Sequence, residues 1–181
     1  MEQNTNLVIT AVGPDRSGIV DKISEFVLSY NCNIEDSRMA VLGGEFAFIM
    51  LINGGAEAVK KIRTDIPAFE KQANLTVFCK ETLAYLADRK SLPYKITIVS
   101  LDHPGIVHSI SSFLAEKKIN IEAMETKTYD APVTGAALFR IEATVAIPSN
   151  IPISQFNNEL VKISERENFD IHFEALFPDK N

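Results

Sequence analysis

The feature that most constrains the fold of this chain is an internal repeat. Shifting the sequence by 87 residues aligns residues 9–35 with residues 96–122 and gives 13 identities in 27 positions, where chance would supply about two. The identical residues of the first copy are Ile9, Thr10, Val12, Asp15, Gly18, Ile19, Val20, Ile23, Ser24, Phe26, Asn33, Ile34 and Glu35. A chain of 181 residues with such a repeat is therefore expected to contain two small modules of one fold.

Each copy opens with the pattern of a strand followed by a helix. Leu7–Val12 and Tyr94–Val99 are short apolar runs rich in β-branched residues, which predicts a strand. After a turn that contains glycine, apolar residues recur at spacings of three and four, which predicts an amphipathic helix. They are Ile19, Ile23, Phe26, Val27 and Tyr30 in the first copy, and Ile106, Ile110, Phe113 and Leu114 in the second.

The rest of each copy predicts a hairpin, a second helix and a last strand. In the first copy the hairpin is formed by residues 34–42 and 45–52 around Gly43-Gly44, and in the second its tip is lengthened by residues 129–135. Apolar residues with helical spacing lie before Pro67 and after Pro152. The closing strands are predicted at Leu75–Cys79 and Phe169–Phe177.

The order βαββαβ, present twice, predicts an α+β chain of two ferredoxin-like modules. Right-handed crossovers place both helices of a module on one face of a four-stranded antiparallel sheet. We predict a first domain over residues 1–81, a linker over residues 82–93, and a second domain over residues 94–181.

The two modules differ in the face of the sheet that the helices leave open. In residues 139–145 apolar and polar residues alternate, which predicts one buried and one hydrated face. Residues 46–52, Phe-Ala-Phe-Ile-Met-Leu-Ile, show no such alternation, so both faces of that strand are expected to be buried. Because the helices cover one face only, a second sheet or a second subunit should cover the other, which predicts a homo-oligomer.

Composition excludes several classes of function. The net charge is -6, and Lys and Arg form no stripe that could neutralise a row of phosphates, so direct binding of nucleic acid is not expected. No apolar run is long enough for a membrane span and the start lacks the pattern of a signal peptide, so we expect a cytoplasmic protein without membrane contact. Cys32 and Cys79 form no CxxC pair and are expected to be reduced and structural.

The first candidate ligand site is the repeated turn between the first strand and the first helix. It comprises Asp15, Arg16, Ser17, Gly18 and Ile19 in one copy and Asp102, His103, Pro104, Gly105 and Ile106 in the other. Small residues there allow a ligand to approach the backbone amides of a helix N-terminus, which favours a carboxylate such as that of an amino acid. The alternative is purely structural: Asp15 and Asp102 cap a helix, and the glycines permit a turn.

The second candidate site is the start of the hairpin, Asn33 and Ile34 in one copy and Asn120 and Ile121 in the other. This point should lie near an edge strand, where a neighbouring module can pair with the sheet. An Asn side chain both donates and accepts hydrogen bonds, which suits the ammonium and carboxylate groups of an amino acid. The alternative is that each Asn ends the preceding helix as a left-handed C-cap.

The sequence carries no convincing signature of an enzyme, a metal site or a cofactor site. The three histidines, His103, His108 and His172, are too scattered for a metal site, and no phosphate-binding or dinucleotide-binding motif occurs. Arg16 occupies a loop position like that of the phosphate-binding arginine of acylphosphatases, but the second copy has His103 there. We therefore predict a protein that is not an enzyme and uses neither metal nor cofactor.

Four segments give the sequence a resemblance to a known family. Residues 7–11, 15–20, 32–40 and 45–51 resemble tandem ACT-domain regulators, in particular the family of bacterial glycine cleavage system repressors. The segment Cys32–Ala40 is the specific part, since Asp-x-Pro-Gly-Ile-Val alone is typical of any ACT domain. Ser17 departs from the family, which usually has proline there, whereas the turn of the second copy is complete with Asp102, Pro104 and Gly105.

The resemblance implies a function and a location for the ligand. It implies repression without DNA contact: the protein would hold a LysR-type activator, and glycine or a similar small amino acid would relieve that hold. It also implies a ligand between the first turn of one module and the early second strand of its neighbour, side by side in an extended sheet. A free-standing subunit that binds an amino acid and adjusts a metabolic enzyme is the alternative, since both functions need the same sensor.

Overall fold

The computed structural model describes residues 4–83 and 91–176. The chain divides into two compact units, Met1–Leu86 and Ala87–Asn181. Each unit contains one copy of the repeat, and we call them the first and the second module.

The first module contains four strands and two helices in the order βαββαβ. Its elements are β1 (Asn4–Pro14), α1 (Ile19–Ser29), β2 (Asn33–Leu42), β3 (Glu45–Gly55), α2 (Ala56–Ala73) and β4 (Thr76–Thr82). The strands form one sheet in the order β2-β3-β1-β4, with β1 antiparallel to both β3 and β4. The edges of this sheet are therefore β2 and β4.

The second module repeats this topology. Its elements are β5 (Ser91–Leu101), α3 (Ile106–Glu116), β6 (Asn120–Asp130), β7 (Ala137–Pro148), α4 (Ile153–Glu167) and β8 (Asp170–Ala175). The sheet order is β6-β7-β5-β8, so the predicted α+β, ferredoxin-like class is confirmed for both modules. Of the predicted linker, residues 84–90 lie outside the described residues, Thr82 ends β4, and residues 91–93 begin β5.

Each module has its own apolar core between the sheet and the helices. The alternating residues Ile141, Ala143, Val145 and Ile147 of β7 are buried, and the residues between them face away from the helices. This confirms the alternation read from residues 139–145. In α1 the buried residues are Ile19, Ile23 and Val27, which is the apolar stripe that the spacing predicted.

The second helix of the first module contains a proline. The helical spacing read from the sequence lies before Pro67, and α2 continues through Pro67 to Ala73. A proline inside a helix removes one backbone hydrogen bond and costs about 3 kcal/mol. The apolar stripe continues beyond it, however, and burial of Phe69 and Ala73 offsets that loss.

The described residues of the first module leave the outer face of β3 open. Phe46, Phe48 and Met50 are buried, whereas Ile49 on the opposite face is 49% exposed. Both faces of this strand are therefore not buried by the described residues of its own module. Coverage by a second sheet or a second subunit stays a prediction, and the second subunit is tested below.

A hydrogen bond joins the two helices of the first module across their exposed side. The Tyr30 hydroxyl, just after α1, donates to Asp65 Oδ2 of α2 at 2.6 Å. This bond to a carboxylate, with some burial, raises the pKa of Tyr30 to about 12. Ionisation of Tyr30 would thus remove a contact between the helices.

We expect Tyr30→Phe to lower the free energy of unfolding by about 1 kcal/mol, because one hydrogen bond is lost. A pKa that folding raises means stability that is complete below the unfolded value, about 10 for tyrosine. That contribution is lost as the pH rises toward about 12. Denaturant unfolding of wild type and variant at increasing pH measures it. A stability difference that stays constant throughout this range would contradict the assignment.

Candidate functional site

Both repeated turns lead into helices whose N-termini have no side-chain cap among the described residues. Gly18 precedes α1 with φ 81°, Gly105 precedes α3 with φ 102°, and neither helix start receives a side-chain hydrogen bond from the described residues. The Asp15 backbone N–H donates to the Gly44 carbonyl at 3.1 Å, so this residue ties the turn to the hairpin tip. The same bond joins Asp102 to Ala137 at 2.9 Å. The alternative in which Asp15 and Asp102 cap the helices is therefore wrong.

The two turn glycines combine a left-handed backbone with open space. Side chains other than glycine rarely adopt such positive φ values, which explains glycine at both positions. A Cβ atom built on Gly18 or on Gly105 has no described atom within 4 Å. A ligand can therefore approach both turns without displacing protein atoms.

The two helix N-termini differ in charge. The first turn of α1 contains Asp21, whereas the first turn of α3 contains no acidic residue. A carboxylate near a helix N-terminus is favoured by the partial positive charge of the first N–H groups and disfavoured by a neighbouring carboxylate. The N-terminus of α3 is thus the better of the two for an anionic group.

The side chains of the predicted turn residues point in several directions. Ile19 and Ile106 are 3% and 2% exposed and belong to the cores, so only their backbones can reach a ligand. The Arg16 guanidinium donates to the Ala73 carbonyl at the end of α2, where a cation is favoured by the helix dipole. Ser17 is exposed.

In the second module the turn side chains also lie at the end of the second helix. His103 Nδ1 is 3.1 Å from the Pro104 carbonyl oxygen, and its ring stacks near Phe169, with centroids 6.4 Å apart. Pro104 is exposed. The turn therefore offers backbone amides to a ligand more readily than charged side chains.

Asn33 and Asn120 are the first residues of the edge strands β2 and β6, and both are exposed. The residues with left-handed backbone after α1 and α3 are Asn31 and Lys118. The alternative in which Asn33 and Asn120 cap helices is therefore wrong.

The residues that follow the two asparagines form a β-bulge in each module. Ile34 and Ile121 are half-buried against the cores, and the register shifts immediately after each of them. Bulges are common at sheet edges and beside functional sites, where they change the direction of a side chain. The repeated Asn-Ile-Glu thus has a structural role that the sequence alone did not reveal.

Within one module the two candidate sites lie at opposite ends of the sheet. Asn33 pairs with Asn53 of β3, while Pro14, at the start of the turn, pairs with Glu45 of the same strand. The eight residue-to-residue steps from Glu45 to Asn53 span about 27 Å of strand. One small ligand cannot contact both sites of the same module.

Three further asparagines lie at the same end of the sheet as Asn33, and the sequence analysis did not identify them. Asn4 Nδ2 donates to Asn53 Oδ1 at 3.0 Å, and Asn53 Nδ2 donates to Asn6 Oδ1 at 2.6 Å. Asn6 and Asn33 flank Asn53 in register on the same face of the sheet. The signal in the sequence is weak, because these residues become neighbours only through strand pairing.

The described residues contain little that resembles catalytic machinery. Burial raises the pKa of the Cys32 thiol, which keeps it protonated and a poor nucleophile. Residues 4–83 and 91–176 contain no group of three or more His, Cys, Asp or Glu side chains that could hold a metal ion. No helix in these ranges is long and apolar enough to cross a membrane.

Comparison with known proteins first defines the class. The family model of the ACT domain matches residues 5–80, which is the first module. Over the whole chain, the crystal structure of an unknown protein from Galdieria sulphuraria has a TM-score of 0.81 with 30% identity, covering 97% of this chain and 100% of that one.

The remaining comparisons show similarity to one particular regulator. The glycine cleavage system transcriptional repressor of Escherichia coli is 34% identical over 144 residues, which are 80% of this chain and 76% of the relative. The crystal structure of a protein assigned as such a repressor has a TM-score of 0.73 with 25% identity, covering 97% of this chain and 99% of that one. The chain therefore belongs to the ACT-domain family of the glycine cleavage system transcriptional repressor.

Proposed function

We propose that this protein is a cytoplasmic, amino-acid-sensing regulator that represses glycine cleavage system expression by holding a LysR-type activator, without contacting DNA. The names of its relatives support the glycine cleavage system as the target of repression. A role in transcription supports a cytoplasmic location. The net charge of -6 supports a route through a protein, since phosphate binding requires a cluster of cations.

The observation that carries amino-acid sensing is the open N-terminus of α3. Its first N–H groups receive no side-chain cap from the described residues, no acidic residue lies in its first turn, and space around Gly105 is free. These donors can bind the α-carboxylate of glycine or another small amino acid. Asn33 and Asn120 supply polar groups for the ammonium end.

The separation of the two sites within a module supports an assembled sensor. If β2 of one chain pairs in antiparallel fashion with β2 of a second copy, its first residue, Asn33, comes beside the partner's strand end near Leu42. Leu42 lies at the end of the sheet that carries the turn, because it pairs with Glu45. Edge-to-edge pairing thus provides both halves of a site from neighbouring modules, which explains why each module keeps both signatures.

The test of sensing is calorimetric titration of the full chain with a panel of amino acids, glycine included. We expect Asn33→Ala or Asn120→Ala to weaken binding by about 1 to 3 kcal/mol through one lost polar partner. Asn31→Gly, in the same loop as Asn33, is the matched control, because glycine keeps the left-handed backbone of Asn31, and it should bind like wild type. Wild-type affinity in both site variants, with unchanged thermal stability, would show that these asparagines are structural.

The partner is tested by affinity capture from the native cytosol with glycine absent and present. Recovery of a LysR-type activator that glycine releases is the expected result. Recovery of a metabolic enzyme instead would support the alternative, a free-standing regulatory subunit. Hydrolysis of acyl phosphates that depends on Arg16 would overturn both.

A further inference from the structure

In each module a side-chain contact joins the first helix to the second, at equivalent positions but with different residue types. Both second helices end at a left-handed asparagine, Asn74 or Asn168, followed by a buried residue whose N–H bonds back to the helix. Aligning α2 with α4 at these asparagines places Asp65 opposite Glu159. The first helices, aligned at their own ends, place Tyr30 opposite Lys117.

The contact that joins the helices is therefore a hydrogen bond in one module and an ion pair in the other. Tyr30 donates to Asp65 in the first module, and Lys117 pairs with Glu159 in the second. The hydrogen bond from Lys117 lowers the pKa of Glu159, which keeps this carboxylate ionised. Lys117 Nζ also lies 5.0 Å from the centroid of the Phe113 ring.

Beside this contact the second module is more open. In the first module Phe26 stacks on Phe69 with centroids 4.2 Å apart, which fills the space between α1 and α2. The residue aligned with Phe69 is Ile163, which is smaller. A cavity of about 540 Å³ lies between Phe113 and α4, against about 280 Å³ at the corresponding place of the first module.

We call the larger cavity the α3–α4 groove, and it is lined by Phe113, Gln155, Glu159, Lys162, Ile163 and Arg166. Residues 155–166 extend over about 16 Å of helix. A second cavity of about 220 Å³ shares Gln155 and Glu159 with it and continues the groove toward Pro152. This length fits an extended or helical segment better than a compact anion.

The charge around the groove is reversed between the modules. Lys162 and Arg166 align with Ala68 and Gln72. Together with Lys117, Glu159 and Glu167 they make five positions, which hold three cations and two carboxylates in the second module. At the five aligned positions of the first module the only charged side chain is Asp65. On a chain of net charge -6, this is a local positive site with an apolar floor of Phe113 and Ile163.

We propose that the α3–α4 groove is a docking site for an acidic segment of a partner protein, with an apolar side chain of that segment seated between Phe113 and Ile163. Carboxylates of the segment pair with Lys162 and Arg166. The proposal rests on the proposed function, in which the protein acts through a partner, and it names the surface and the chemistry of that contact. The equivalent surface of the first module has less space, and its one lining cation, Lys22, lies with a lining carboxylate, Glu25.

The probe is a short fluorescein-labelled helical peptide that presents Leu and Glu at spacings of three and four, compared with the same peptide carrying Lys for Glu. Fluorescence anisotropy with the full chain should show saturable binding of the acidic peptide only. The double variant Lys162→Glu, Arg166→Glu should weaken that binding about tenfold or more and bind the basic peptide instead. The double variant Lys60→Glu, Lys61→Glu changes the net charge equally on exposed residues of α2, and should bind like wild type.

Two results would overturn the proposal: no binding of the acidic peptide to wild type, or an equal loss in the control variant, which would mean that net charge alone decides. Amino-acid titration of the same variants provides a separate reading of the sensor. Loss of peptide binding with normal glycine binding is the expected outcome for the groove variant. Absence of amino-acid binding from a wild type that binds the peptide would overturn the proposed sensing and leave the groove supported.

Discussion

Replacing Ile49 with glutamate should weaken self-association of this protein by two to three orders of magnitude. Ile49 is 49% exposed on the face of the first sheet that the helices leave open, and Phe78, two strands away on the same face, is 68% exposed. Thr10 pairs with both residues and thereby joins them across the sheet. An unpaired carboxylate buried in a contact through this face costs about 3 kcal/mol or more, and each 1.4 kcal/mol is about tenfold in the dissociation constant.

The second module indicates that this substitution is compatible with the fold. Thr97, the repeat equivalent of Thr10, pairs with Glu142, so Ile49 and Glu142 hold the same place in their sheets. Glu142 pairs there with Lys95 and Arg140, and the hydrogen bond from Lys95 lowers its pKa. A carboxylate at this place is thus compatible with the sheet, and the loss should fall on association rather than on folding.

Light scattering and sedimentation of wild type and Ile49→Glu measure the effect. Val161→Glu is the matched control: Val161 is 48% exposed, but it belongs to helix α4 of the second module and not to the first sheet. We expect the control to associate like wild type. A monomeric wild type, or an equal loss in both variants, would contradict an interface on this face.

Gly105→Val should abolish amino-acid binding at the second module. The variant adds a branched side chain where the backbone has φ 102° and where a ligand carboxylate would approach the first amides of α3. A β-branched residue at positive φ also strains the backbone by about 1–3 kcal/mol. Binding and stability are therefore both expected to fall.

A second substitution separates these two effects. Asn tolerates positive φ better than Val, and no described atom lies within 4 Å of a Cβ at this position. Gly105→Asn should thus retain most of the stability and still obstruct the ligand. Calorimetric titration beside thermal unfolding reads both quantities. If the Asn variant keeps its stability and binds glycine as tightly as wild type, Gly105 is needed only for the turn.

Several features on which these two experiments depend could be predicted from the sequence. The duplication, the βαββαβ order and the inward face of the alternating strand over residues 139–145 follow from periodicities of 87, about four and two residues. The turn glycines could also be read from the sequence, because a positive φ favours glycine whatever lies around it. Even the asymmetry between residues 46–52 and residues 139–145 was visible as presence or absence of alternation.

Only the tertiary structure determined which residues become neighbours in space. It placed Asn33 at the far end of the sheet from its own turn, continued α2 through Pro67, and brought Asn4 and Asn6 into hydrogen bonds with Asn53, the strand partner of Asn33. The α3–α4 groove beside Ile163 also became visible only in the tertiary structure. A periodic pattern records which face of an element is apolar, because that depends on near neighbours in the chain. Register, bulges and the contacts between helices depend on residues tens of positions apart, and their energies are settled only when those elements pack.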